Sequence, residues 1–182
     1  MIVYTIGHGA RTLEDFVATL RAADVRRVVD VRRHPASRRH PQFAREALAQ
    51  SLQASDIDYA WLPALGGRRP PGERPSPNPA WRVAAFRAYA DYMDTDAFAT
   101  GLAQLLALAA ECASAVMCAE THPSQCHRRL IADKLVSLGH DVVHLVSAAR
   151  REPHVVPAFL RVDGDRLRYD VVAHGDGQPP LI

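Results

Sequence analysis

Most of the reactive side chains in this 182-residue chain crowd into one stretch, Val116-Met117-Cys118-Ala119-Glu120-Thr121-His122-Pro123-Ser124-Gln125-Cys126-His127-Arg128-Arg129. Two of the three cysteines lie here, with one Glu, two His and two Arg. If Pro123 and Ser124 open a helix, with Ser124 as N-cap, Cys126 falls in its first turn. Free backbone N–H groups there lower a thiol pKa and also bind phosphate or carboxylate. Arg128 and Arg129 add positive potential. The inert alternative is that Cys126 packs as a small apolar residue and the arginines are solvated.

Cys118 ends an apolar run and alone reads as core. With Cys126 it forms a candidate redox pair, because a strand end and the next helix start can come within disulfide reach. Glu120 is a candidate general acid or base, its pKa raised if it lies beneath apolar strands; a solvated or Arg-paired Glu is equally open. Cys112 receives no role. Cys118, Glu120, His122, Cys126 and His127 are legitimate zinc ligand types. Their spacing matches no close-paired zinc pattern, and neighbours on a helix point different ways, so no metal site is expected.

Two further groups precede this stretch. His8, flanked by Gly7 and Gly9, reads as a ligand contact or acid/base at a strand end. No third glycine completes a dinucleotide fingerprint, so neither NAD nor FAD is expected and the cofactor stays unassigned. Asp30-Val31-Arg32 ends a second strand; Asp30 either fixes Arg32 or His8, or caps the loop that follows. That loop is rich in Arg and His. With Arg68, Arg69 and Arg74 it suggests a basic rim for phosphates or nucleic acid, or simply a solvated surface.

The elements that must position these residues follow from periodicity. Strands are expected near 2–6, 28–31, 59–62, 115–118 and 142–145. Helices are expected from Thr12, a capping-box residue, to about 23, then over 43–54, 81–93, 95–110 and 126–138, the last stopped by Gly139. Residues 63–80 are a Pro/Gly/Arg-rich loop. Residues 158–172 read as a β-hairpin turning at Asp163-Gly164-Asp165. The alternation predicts an α/β fold: one Rossmann-like three-layer domain over 1–148 with a mostly parallel sheet of about five strands, and a C-terminal extension over 149–182 carrying the hairpin. In the common order 3-2-1-4-5, strands one and four are neighbours, which places His8, Asp30 or Arg32, Cys118, Glu120 and Cys126 around one pocket.

Composition narrows the class. Hydrophobic content of 48%, charged content of 23% and a net charge of +2 are ordinary for a globular domain. No apolar run suits a membrane, and the start lacks signal-peptide features, so a cytoplasmic protein is expected. An odd number of cysteines argues against a secreted disulfide framework. Lys134 is the only lysine among 22 basic residues, so arginine carries nearly all the positive charge.

Tyr4-Thr5-Ile6-Gly7-His8-Gly9, Asp30-Val31-Arg32 with Pro35 and Ser37, Leu65-Gly66-Gly67, and Cys118-Ala119-Glu120 with Cys126-His127-Arg128 occur in that order. Together they resemble the bacterial and archaeal family catalogued as domain of unknown function 488, over roughly residues 2–146. Gly9 stands where that family often has Ser. The resemblance implies the fold and the site location, and adds Gly7, Ser37, Gly66, Gly67, His127 and Arg128 as substrate contacts beside Asp30 and Arg32; it supplies no activity. A looser similarity is to sulfur-transferring rhodanese domains, which pair Asp-Val-Arg with a strand-end cysteine in a shorter loop.

Three functional expectations follow. The first is an enzyme acting on an anionic, phosphate-bearing substrate, a nucleotide or nucleic acid, with His8, Cys118, Glu120 and Cys126 as its catalytic set. The second is thiol chemistry, either persulfide transfer or a Cys118/Cys126 redox pair. The third is a non-enzymatic nucleic-acid-binding module. A small anionic ligand, nucleic acid or a second copy of the chain are the partners considered, and no membrane.

Overall fold

A computed structural model describes residues 1–36, 39–72 and 74–170. Its centre is a six-stranded sheet built from β1 (Ile2–Gly7), β2 (Arg27–Asp30), β3 (Asp58–Trp61), β4 (Ser114–Cys118), β5 (Asp141–Ser147) and β6 (Arg150–Pro153). The spatial order is β3-β2-β4-β1-β5-β6. Only the β5–β6 pairing is antiparallel. β1 and β4 are neighbours as expected, from Tyr4 opposite Ala115 to Gly7 opposite Cys118. β2, however, pairs with β4 and not with β1, which corrects the common order. Every residue of β4 is buried. A strand covered on both faces belongs inside a parallel sheet, so β4 stands between β1 and β2.

Helices cover both faces. α1 (Leu13–Arg21) and α2 (Arg45–Gln53) close one face over Ile6, Val28, Ala115 and Met117. α3 (Ala84–Tyr92), α4 (Asp96–Glu111) and α5 (Arg128–Ser137) close the other over Val3, Val29, Val116 and Cys118. The caps follow the sequence. The Thr12 side chain accepts from the Asp15 amide at the start of α1, and Gly139, at φ +81°, turns the chain after α5.

β6 was not expected. It adds an antiparallel edge beyond β5, and the hairpin of β7 (Leu160–Asp163) and β8 (Arg166–Tyr169) follows. The turn falls at Gly164, φ +62°. Val171 and Val172, the end of the expected hairpin, lie outside the described residues. Leu167 and Tyr169 are buried in the core beneath α3–α5. A continuous hydrogen-bond chain ties this region down. Thr5 Oγ1 and His144 Nδ1 are 2.7 Å apart, His144 Nε2 and His154 Nδ1 2.9 Å, and His154 Nε2 and Asp133 Oδ1 2.7 Å; Tyr169 donates to Asp133 Oδ2 at 2.8 Å. Four strands and helices thus share one buried polar seam, with Asp133 accepting twice.

Candidate functional site: two buried clusters at the strand ends

The carboxyl ends of β1 and β4 are pressed together. His8 N–H donates to the Cys118 carbonyl at 3.0 Å, and Gly9 N–H to that of Ala119 at 2.8 Å. A methyl group on Gly7 would sit 1.8 Å from the Glu120 carbonyl oxygen, and one on Gly9 2.0 Å from Thr121 Oγ1. Gly9 also has φ +51°. The glycines therefore let the loop after β4 lie directly on the exit of β1. Arg128 secures it, its Nη2 donating to the Glu120 carbonyl at 2.7 Å.

After that loop the chain departs from the expected helix. Pro123–Gln125 is a separate 3₁₀ turn, in which the Ser124 amide donates to the His122 ring at 3.3 Å. Cys126 is extended, at φ −130° and ψ 143°. α5 begins only at Arg128, with His127 as its N-cap. Ser124 is therefore not the cap, and Cys126 is not in the first turn. Pro123 favours a short turn, and the extended Cys126 ends it before the α-helix can form.

This backbone brings Cys126 and His127 to the same place. His127 Nδ1 lies 3.7 Å from Cys126 Sγ and 3.9 Å from Cys118 Sγ. The two sulfurs and that nitrogen all lie within 4.8 Å of one another. The ground for excluding a shared ligand set, that adjacent helical residues diverge, does not hold here. Arg128 Nε donates to Cys126 Sγ at 3.3 Å. Both thiols are reduced and buried, Cys118 at 7% exposure and Cys126 at 2%. Burial pushes the Cys126 thiol up, but hydrogen bonds with Cys118 and His127 and the charge of Arg128 outweigh it and hold it well below the usual thiol range. Its hydrogen bond to Cys126, together with burial, drives the Cys118 thiol well above that range. The pair is thus unsymmetrical, with Cys126 the more readily ionised.

Gly67 forms one wall of this cluster, since a Cβ there would come 2.7 Å from His127 Nδ1. Arg69 holds that wall through the carbonyls of Gly66, Ala64 and Pro63, at 2.8, 3.0 and 3.2 Å, and stacks over Tyr92. On the far side, Tyr89 lies 4.9 Å from the His127 ring.

A second cluster occupies the α1–α2 face. Arg32 clasps Asp30 with Nε to Oδ1 at 2.9 Å and Nη2 to Oδ2 at 2.6 Å. Tyr59 donates to Asp30 Oδ2 at 2.7 Å, and Arg32 Nη1 donates to the Phe43 carbonyl at 2.8 Å. His8 stacks on Phe43 at 4.5 Å. Its Nδ1 donates to the Gly9 carbonyl at 2.9 Å, which leaves Nε2 to accept from Arg32 Nη1 at 3.3 Å. Burial lowers the His8 pKa to about 4, against the raising effect of the Gly9 carbonyl, so the ring is neutral at physiological pH.

The expected residues thus reach one end of the sheet but divide between its two faces. Cys118, Cys126, His127, Arg128 and Gly67 form one group; His8, Asp30 and Arg32 form the other. Glu120 joins neither as a side chain: it is exposed, and Arg128 uses its backbone carbonyl. Of the alternatives left open for Glu120, the solvated one holds. Gly66 is packed against the Arg33 backbone, and Ser37 lies outside the described residues. Tyr59 and Phe43, which orient Asp30 and His8, escaped the sequence reading because each looks like an ordinary core aromatic. The Asp133–His154 seam left one readable signal, an Asp on the apolar stripe of α5.

Residues 12–135 match the family described as Domain of unknown function DUF488. The chain belongs to that family. No curated protein and no solved structure matches. The DUF488 match is shorter than the 2–146 expected: it takes in both clusters except His8, which precedes it, and ends within α5. No helix among the described residues of this DUF488 chain is long and apolar enough to cross a membrane.

Proposed function

We propose that this chain is a thiol redox protein in which Cys126 and Cys118 form a reversible disulfide. One observation carries the reading: two reduced thiols, an imidazole and a guanidinium converge at one strand end, with His127 and Arg128 both directed at the Cys126 sulfur. Cys126 is the attacking thiol and Cys118 the resolving one.

The enclosure suits a small oxidant, and a hydroperoxide fits. Cys126 thiolate attacks the peroxide oxygen; the O–O bond breaks and an alcohol, or water from hydrogen peroxide, leaves with a proton. Cys118 sulfur then attacks the resulting sulfenic acid. The S–S bond forms, the S–O bond breaks, and water leaves with the Cys118 proton, for which His127 is the adjacent carrier. Two thiols lose two protons and two electrons in all, and the peroxide gains both.

The anionic-substrate reading draws less support. Arg32 and Arg128 were to hold the phosphate, yet both are buried and bonded to Asp30, Phe43, Glu120 and Cys126. Arg69, expected in the basic rim, is bonded to three carbonyls of its own loop.

The test is one equivalent of hydrogen peroxide added to the reduced chain, followed by a non-reducing peptide map. A Cys118–Cys126 link that dithiothreitol reverses, with Cys112 unmodified, supports the reading. Cys118 and Cys126 left as free thiols, or Cys126 carried to sulfinic acid without a link, removes it.

A further inference from the structure

We propose that Cys118, Cys126 and His127 are the three protein ligands of a zinc(II) site whose fourth position is open to an exogenous ligand. The site shares its residues with the redox pair but does not depend on that reading. Thiolate and imidazole are the donors zinc prefers. In a tetrahedral site with Zn–S of about 2.3 Å and Zn–N of about 2.0 Å, adjacent donors stand about 3.5–3.8 Å apart. The imidazole nitrogen lies 3.7 and 3.9 Å from the two sulfurs, close to that spacing, and all three donor atoms lie within 4.8 Å of one another. Binding displaces one proton from each thiol, and the two thiolate charges balance the ion.

The surroundings support the set. Arg128 donates to the Cys126 sulfur, an outer-shell contact that orients a thiolate ligand. Gly67 lets the imidazole sit where any side chain would collide with Nδ1. Among the described residues His127 Nε2 is buried without a hydrogen-bond partner, so no acceptor there turns the ring away from the thiols. With Nδ1 on a metal, Nε2 carries the proton, and the Tyr89 ring, tilted 54° at 4.9 Å, is the available weak acceptor. Three protein ligands with an open fourth position form the pattern of zinc centres that engage a small molecule, not of closed structural ones.

The test uses the full chain, reduced and held without oxygen, titrated with cobalt(II) as a spectroscopic stand-in. The expected result is a near-ultraviolet thiolate-to-cobalt charge-transfer band with tetrahedral visible bands. They should saturate at one ion per chain and be displaced by zinc(II). Cys118→Ser, Cys126→Ser and His127→Ala should each weaken binding at least about tenfold, with Cys112→Ser unchanged. If the variants fail to fold, the wild-type chain still decides: zinc should slow alkylation of Cys118 and Cys126 and leave Cys112 as it was. No charge-transfer band, or zinc protection that spares Cys118 and Cys126, overturns the site. Cobalt binding without peroxide-driven disulfide formation would retain the metal site and remove the redox reading; the reverse result would do the opposite.

Discussion

Gly67 stands directly behind the imidazole of His127, with 2.7 Å between its missing Cβ position and Nδ1. Gly67→Ala should therefore displace the ring from Cys118 and Cys126. Over-packing of this kind costs about 1–3 kcal/mol, so the fold should survive. The expected outcome is slower Cys118–Cys126 disulfide formation in peroxide with a thermal transition that stays cooperative. An unchanged rate would show that His127 does not assist the pair.

Gly7 presents a harder limit. Its Cβ would meet a backbone oxygen at 1.8 Å, and backbone cannot rotate aside. Gly7→Ala should fail to accumulate as folded protein or melt far below the parent. Gly72, with nothing among the described residues within 4 Å of its Cβ position, is the control; Gly72→Ala should stay within about 0.5 kcal/mol in urea unfolding.

Asp30 neutralises a buried guanidinium. Asp30→Asn leaves Arg32 charged and poorly matched, at an expected cost of about 3–5 kcal/mol. Tyr59→Phe removes one hydrogen bond to the same carboxylate and should cost about 1.5–3 kcal/mol. Urea unfolding of both variants checks the ranking. The reverse order would mean that Tyr59, and not the charge pair, organises the cluster.

Two buried histidines make stability depend on pH. Burial lowers His8 to about 4 and His144 to about 3, from an ordinary value near 6.5. Below pH 6.5 the unfolded chain takes up these protons before the folded one does. Stability is therefore intact above about 6.5 and declines as pH falls toward the folded values. Urea midpoints at pH 7, 6 and 5 should fall in that order, and His144→Gln should flatten the slope. A flat profile in the parent would contradict the neutral assignment of both rings.

Strands with apolar runs were legible in the sequence. Val28–Val31 and Ala115–Cys118 announce burial by composition alone, and Thr12 and Gly139 mark helix ends by their special chemistry. β6 was not legible, because Arg150-Arg151-Glu152-Pro153 has no apolar alternation. Strand order was half legible. Adjacency of β1 and β4 put His8 beside Cys118, but no local pattern says that β2 reaches β4 and not β1. The site was legible as a set of reactive residues and not as a geometry. One extended residue, Cys126, changed His127 from a side chain pointing away into the partner of both thiols.

The position of β4 also bears on how the chain comes to be folded. Among the described strands, β1 pairs only with β4 and β5, and β2 only with β3 and β4. While the first hundred residues are being synthesised, β1 has no strand to join, and β2 and β3 form an isolated pair. The sheet can zip only after residues 114–118 emerge and slot between strands made long before. Contacts of such sequence separation slow folding and leave apolar β1 and β2 edges bare in the nascent chain. Ribosome-bound fragments ending before Ser114 are the stage at which this protein most needs a chaperone.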